Sequence, residues 1–377
     1  MQILITAVVF VNGVTFASWL PRIPELRDRL DIGLGALGAV LLGTGLGGLL
    51  ASAAGGALVD RLGSRRSCVT AAVLLSAGLP LVGVASTPLA LAGVLVGLGA
   101  VDVLADIGMN VQAAQVQREA SGSVIQRFHA AWSIGALSGA AVASAAAATG
   151  VPLRTHLLVT AVALVCTVGF AARHLSPVDD APAPHPDGGS RRAPVLVLLA
   201  AVALAMAVVE GAPGEWAAVF GTDVHEAGPG VAGLGFLAMS AGMVTGRVAG
   251  DAATDRLGPD RVLRSALAIV GCGLGVVVLS PGIAVALAGF ALIGLGVSVL
   301  FPALYLTAAD REGIPAGLGL GVMSTGARLG FLVSPPLVGA IAGATSLRLS
   351  LGVVVGSGAV AAWLLEAALR RAGAPPA

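Results

Sequence analysis

Long apolar runs, separated by short breaks of Pro, Gly or charge, cover almost the whole chain. A helix needs about 20 apolar residues to cross about 30 Å of hydrocarbon. Runs of that order fall at roughly 2–20, 33–58, 67–86, 88–112, 127–149, 154–172, 194–213, 231–253, 262–280, 283–306, 317–342 and 348–369. The breaks include Pro21-Arg22-Ile23-Pro24, Thr87-Pro88, Gly150-Val151-Pro152 and Ser280-Pro281-Gly282. This pattern predicts an all-α membrane protein with twelve transmembrane helices. The first run has Ala17 near a cleavable position, but no basic segment precedes the apolar core of a leader. It is read as a retained helix.

Composition strengthens the membrane reading. The 377 residues are 56% hydrophobic and 11% charged, whereas soluble domains carry about 25% charged residues. The 54 glycines suit membrane helices, whose backbones approach closely at small residues. Every basic residue is Arg, which with the Ala and Gly bias points to a GC-rich bacterial genome. A net charge of +1 gives no reason to expect nucleic-acid binding. Cys68, Cys166 and Cys272 lack metal or redox spacing and are expected to be buried thiols. The chain has no Walker loop, no HExxH and no GxSxG at a strand-to-helix turn, so neither an enzyme nor a bound cofactor is expected.

Arginine placement sets the expected orientation, because positive residues concentrate on the cytoplasmic side. With the amino terminus inside, inner segments hold fourteen of the 21 basic residues and outer segments or edges five. Both termini are therefore expected in the cytoplasm of a bacterial cell, the protein lying in its inner membrane. The polar, Pro-rich stretch 173–193 reads as a cytoplasmic linker. It divides a six-helix bundle at 1–172 from a second at 194–377.

An internal repeat supports that division. Asp60-Arg61-Leu62-Gly63-Ser64-Arg65-Arg66 follows the second run, and Asp255-Arg256-Leu257-Gly258-Pro259-Asp260-Arg261 follows the eighth, 195 residues later. The same offset pairs Gly55 with Gly250 and Gly135 with Gly330, and lays 133–137 on 328–332. One offset held over several helices implies duplicated halves in parallel orientation. It also puts the counterparts of Arg191 and Arg192 before Met1, so a basic extension encoded upstream would mark a misplaced start.

At these residues the chain resembles the major facilitator superfamily. The segment from Gly56 through Asp60, Arg61, Gly63 and Arg65 to Arg66 matches the superfamily's G-x-x-x-D-R/K-x-G-x-R/K-R/K signature at every specified position. The resemblance implies two pseudo-symmetric six-helix bundles and transport by alternating access. It also implies a cytoplasmic latch that holds the outward-open state and breaks for inward opening. Gly56 is expected to allow close helix packing, Asp60 to face a helix amino terminus, and Arg61, Arg65 and Arg66 to pair with carboxylates. Asp255 and Arg256 belong to the degraded second copy. Asp106-Ile107-Gly108-Met109-Asn110, Arg127-Phe128-His129-Ala130-Ala131-Trp132-Ser133 and Glu210-Gly211-Ala212-Pro213-Gly214-Glu215-Trp216 are similar to motifs of a bacterial branch related to fucose permeases.

Polar residues inside spans are costly, and they usually face a cavity or a partner. Asn12 and Arg328 fall near mid-membrane, where a solute is expected to bind, with Trp132 either lining the site or packing between helices. Arg328 is suited to the carboxylate or phosphate of a solute, or to an acid on another helix. Asp102 and Asp106 share a face at i,i+4 spacing, and their repulsion suits one of them to carry a coupling proton. The alternative is an inner gate with Asn110, His129 and Arg127. Glu210 is a third candidate proton carrier. Arg247 and Asp251 are expected to pair at i,i+4 in a gate. Glu215 and Trp216 are expected at the outer interface, and Pro335-Pro336 to bend its helix.

The expected function is secondary transport of a small polar solute, sugar-like or an organic anion, with protons as candidate coupling ions. The two bundles would rock about a midplane site, within one chain acting as a monomer in the lipid bilayer. Rival readings are a multidrug efflux carrier and a non-transporting membrane sensor or scaffold.

Overall fold

The computed structural model describes residues 2–119, 125–173, 193–309 and 316–372. The helices are α1 (Gln2–Ala17), α2 (Ile23–Leu30), α3 (Leu34–Leu62), α4 (Ser64–Val84), α5 (Pro88–Glu119), α6 (Ile125–Ala148) and α7 (Leu153–Arg173). They continue with α8 (Ala193–His225), α9 (Pro229–Leu257), α10 (Pro259–Leu279), α11 (Ile283–Ala309), α12 (Ala316–Ala344) and α13 (Leu347–Ala372). Eleven helices are long and apolar enough to cross a membrane. With α1, slightly shorter at 16 residues, they make the twelve-helix membrane bundle that the apolar runs predict. Side chains face the way lipid requires. Leu89 is 84% exposed and Leu279 80%, an arrangement untenable in water.

Local sequence explains the helix ends. Thr87 accepts the Ala90 amide at 3.1 Å and Pro88 follows at the first helical position, so the Thr-Pro break is a cap that starts α5. The short α2 was not legible as a helix in the apolar pattern. Pro21 and Pro24 remove two amide donors within one turn, and the chain bends through the 3₁₀ turn Leu20–Arg22 before α2 begins. In the second half the corresponding stretch is one continuous helix. The seventh apolar run, expected to end near 213, extends in α8 to His225 with Pro213 inside it. A lone proline is tolerated where neighbouring helices support the backbone.

The 195-residue repeat is written into the packing. Added Cβ atoms at Gly47 and Gly99 would overlap the Val96 and Thr44 carbonyl oxygens where α3 crosses α5. At the matching positions Gly242 and Gly294, they would overlap those of Ala291 and Met239 where α9 crosses α11. Gly135 presses on the Phe10 carbonyl of α1, as Gly330 does on the Leu204 carbonyl of α8. Helix connections repeat as well. Gly63 (φ 83°) and Gly258 (φ 80°) join helices in the left-handed region, and Asp31 and Glu226 share φ 51°.

The halves meet through α3 against α12 and α6 against α9. The closest approaches lie toward the face that carries α2, here termed the α2 face. Gly38 packs on Pro335 and Gly339, Gly230 on Ala148, and Gly233 on Ser144 and Pro21. Pro335-Pro336 thus sit inside an unbroken α12, at this seam. The opposite, basic face carries the α3–α4 and α9–α10 connections with Arg61, Arg65, Arg66, Arg256 and Arg261.

Three expectations are corrected here. Trp216 is fully buried, so it is no interfacial anchor; the continued α8 carries it and Glu215 into the bundle interior. Cys68 alone is a buried thiol, whereas Cys166 and Cys272 are exposed on outward helix faces. Gly56 meets open space, and the close approach falls one residue earlier, at Gly55 against Ile107 of α5. A rotation of 100° per residue puts the two glycines on different faces.

Candidate solute-binding and gating site

Between the halves, α1, α5 and α6 of the first half face α8, α9 and α12 of the second. The buried Asn12 of α1 donates its Nδ2 to Asp102 Oδ1 of α5 at 2.8 Å. Trp132 Nε1 of α6 donates to Asn12 Oδ1, also at 2.8 Å. One amide thus fixes both a carboxylate and an indole, and both of its functional atoms are used. One turn along α5, Asp106 accepts from Asn110 Nδ2 at 2.9 Å and lies 3.7 Å from Arg328 Nη2 of α12. Asp102, Asp106, Asn110 and His129 are all exposed although they lie deep in the bundle. The glycine contacts bring the halves together at the α2 face, and these exposed polar residues lie in the middle and basic-face parts of α5 and α6.

Arg247 crosses the other seam. Its Nη1 donates to the His129 carbonyl at 3.0 Å and to Ser133 Oγ, both on α6. Its guanidinium carbon stands 5.6 Å from the Trp132 ring centroid, within the range of a cation–π contact. Glu210 of α8 is close enough for its charge to act on Arg247. Phe16, Trp132 and Phe236 form a ring cluster nearby, with centroids 5.8 and 6.5 Å apart.

The structure therefore brings together Asn12, Asp102, Trp132 and, through Asp106, Arg328. The acids expected to share one environment take separate partners, Asn12 for Asp102 and Asn110 with Arg328 for Asp106. The expected pair of Arg247 with Asp251 falls partly outside the described residues, as does the expected contact of Arg127, because the Asp251 and Arg127 side chains are among those not described. His129 engages Arg247 through its backbone carbonyl. Sequence reading missed Ser133, Phe16 and Phe236. Ser133 had a signal, since it is the repeat counterpart of Arg328. Among the described residues no group of three or more His, Cys, Asp or Glu is placed to hold a metal.

At the basic face Asp60, Arg61 and Arg66 are exposed. Arg65 Nη2 donates to the Ala172 carbonyl at the end of α7, at 3.3 Å. Asp255 and Arg256 are exposed in the second copy.

Residues 5–312 match the family described as the Major Facilitator Superfamily. The chain belongs to that superfamily of membrane transporters. An uncharacterized MFS-type transporter of Yersinia pestis is 29% identical over 345 residues, covering 92% of this chain and 90% of the relative. Among solved structures, a bacterial homolog of the human lysosomal transporter Spinster, in an inward-facing and occupied conformation, superposes with a TM-score of 0.79. It is 13% identical, and the match covers 100% of this chain and 98% of that one. The nucleoside transporter NupG superposes with a TM-score of 0.76 at 13% identity, covering 97% and 99%. Likeness at these identities establishes the fold.

Proposed function

We propose that this protein is a proton-coupled carrier for a small polar solute, sugar-like or an organic anion, working as a monomer by alternating access. The observation that carries the reading is the polar cluster between the halves, where Asn12, Asp102 and Trp132 form one hydrogen-bonded set and Arg328 faces the neighbouring Asp106. Asn12 and Trp132 supply directional contacts for a polar solute, and Arg328 selects for negative charge. Asp102 carries the coupling proton, since its solute-facing position lets protonation and solute binding act on each other. Asp106, Glu210 and the exposed basic-face motif serve gating. The basic face is cytoplasmic, by the excess of arginine there, and so are both termini, in a bacterial inner membrane. The two halves 1–172 and 194–377 rock about the linker 173–193. The similarity to motifs of a bacterial branch related to fucose permeases supports the scaffold more strongly than a sugar solute, and Arg328 supports an anion.

The reading is tested with protein in proteoliposomes. A thermal-shift panel of sugars, organic acids and amphipathic drugs first identifies the solute. An imposed pH gradient is then expected to drive its accumulation, and Asp102→Asn to abolish that response while solute exchange continues. Accumulation indifferent to the gradient would remove proton coupling, and absence of any exchange would remove the carrier reading. A second reading, efflux of amphipathic compounds, draws support from the Phe16–Trp132–Phe236 rings. Stabilisation by aromatic cations alone would favour it.

A further inference from the structure

The shut α2 face holds an ion pair that the apolar pattern gave no reason to expect. Arg27, in the last turn of α2, reaches across the seam and donates Nη1 to Asp223 Oδ2 of α8 at 2.5 Å. Its Nε and Nη2 also donate to Asp28 Oδ1 within its own half, each at 3.2 Å. Asp28 and Asp223 are separated by the same 195 residues that relate the halves. The guanidinium thus sits between two repeat-equivalent carboxylates, one from each half. The repeat counterpart of Arg27 itself is Thr222, whose hydroxyl donates to Asp223 Oδ1 at 3.0 Å. Duplication supplied two acids, and a cation on one side alone joins them.

We infer that Arg27 and Asp223 form a reversible latch that holds the α2 face shut and is released once in each transport cycle. Three features of the pair separate a latch from a permanent brace. It joins the halves directly, through α2 and α8, instead of stiffening either one. Arg27 keeps a carboxylate partner on its own side, Asp28, and Asp223 keeps a neighbouring hydroxyl, Thr222, whose one proton also faces the Val219 carbonyl. Neither side chain is fully enclosed, at 17% and 26% exposure, so water reaches both charged groups when the contact parts. The helix that bears Arg27 is itself fixed to the first half. Arg22 bonds Glu25 and the Val151 carbonyl, and Arg29 bonds the Gly83 and Ala85 carbonyls at 2.6 and 3.0 Å. The latch thus transmits force between rigid bodies. Burial disfavours the Arg27 charge, but the Asp223 and Asp28 carboxylates outweigh it and raise its pKa. The pair is engaged here together with the close glycine contacts of the same face.

The inference rests on the carrier reading only in requiring that the halves move, and its test needs no solute. Ser144 is buried under Gly233 at the α6–α9 contact, and Ser144→Cys is nearly isosteric. In a background with Cys68, Cys166 and Cys272 replaced by Ser, the full-length Ser144→Cys protein in nanodiscs is labelled with a membrane-impermeant maleimide. Arg27→Gln and Asp223→Asn are each expected to raise the labelling rate about fivefold or more, by shifting the population toward the open α2 face. The exchange Arg27→Asp with Asp223→Arg is expected to return the rate to within about twofold of the parent, which a general loosening of structure would not do. Unchanged labelling in both single variants, or a double variant as fast as the singles, would overturn the latch. Loss of transport with labelling as expected would count against the carrier reading alone.

Discussion

The two halves share a skeleton but not a chemistry. At several of the tightest helix crossings the repeat is kept residue for residue, Gly47 with Gly242, Gly99 with Gly294 and Gly135 with Gly330, whereas Gly13, Gly139 and Gly326 correspond to Val208, Ser334 and Ala131. Where side chains form the polar cluster, it is abandoned. Asn12, Asp102, Asp106 and Ser133 of the first half correspond to Ala207, Val297, Phe301 and Arg328 of the second. A glycine at a helix crossing has no substitute, because a Cβ would occupy the space of a carbonyl oxygen. A residue of the polar cluster meets side chains instead and is free to diverge. The first half therefore contributes Asn12, Asp102 and Asp106, and the second contributes Arg328, which meets Asp106, and Arg247, which meets Ser133 and the His129 carbonyl.

The sharpest way to break this comparison is to treat the halves as equivalent where they pack. Gly47→Val and Gly242→Val are both expected to cost about 3 kcal/mol or more, as backbone overlap forces the helices apart, and to abolish the monodisperse peak in size-exclusion chromatography. Gly56→Ala is the control, since a Cβ there meets open space. If one half tolerates its valine, the packing repeat is less strict than the geometry requires.

A smaller effect probes the arginines that bind the turn beyond α4 or α10. Arg348 donates to the Val278 and Ser280 carbonyls at 2.6 and 2.9 Å. Its repeat neighbour Arg154 makes one contact of 3.3 Å, to Gly83, because Arg29 of α2 already serves that turn. Burial and the nearby Arg154 charge lower the pKa of Arg29, so two cations crowd one helix end. Arg348→Ala is expected to cost about 2 kcal/mol, from lost charge-assisted hydrogen bonds, and Arg154→Ala less than half of that. Thermal unfolding in detergent ranks them, and equal losses would contradict the division.

The smallest effect concerns the polar cluster. Arg328→Ala is expected to weaken binding of an anionic solute about tenfold, near 1.4 kcal/mol, leaving uncharged solutes unaffected. Titration calorimetry measures both. Equal weakening of both solutes would place Arg328 in gating through Asp106 rather than in charge selection.

The repeat offset, the twelve helices and the superfamily motif were legible in the chain because they are local. Apolar length, capping residues such as Thr87 and Pro88, and a seven-residue motif need no knowledge of distant neighbours. The polar cluster was legible in part. Asn12, Asp102, Asp106 and Arg328 stand out as polar residues in apolar runs, since each needs a compensating environment in lipid. Their partners were not legible. The fold also places the Arg247 guanidinium against Ser133 and the His129 carbonyl of the other half, contacts no pattern on its own helix announces.

Membrane spanning in two related halves follows from the chain itself, because hydropathy and glycine spacing act along each helix. Only the tertiary structure decided which face is shut, which acid each arginine meets, and that Arg27 lies between Asp28 and Asp223. Those outcomes depend on packing that brings together distant residues, 90 positions apart for Asn12 and Asp102 and 196 for Arg27 and Asp223. No pattern along one helix fixes which residue of another it will touch.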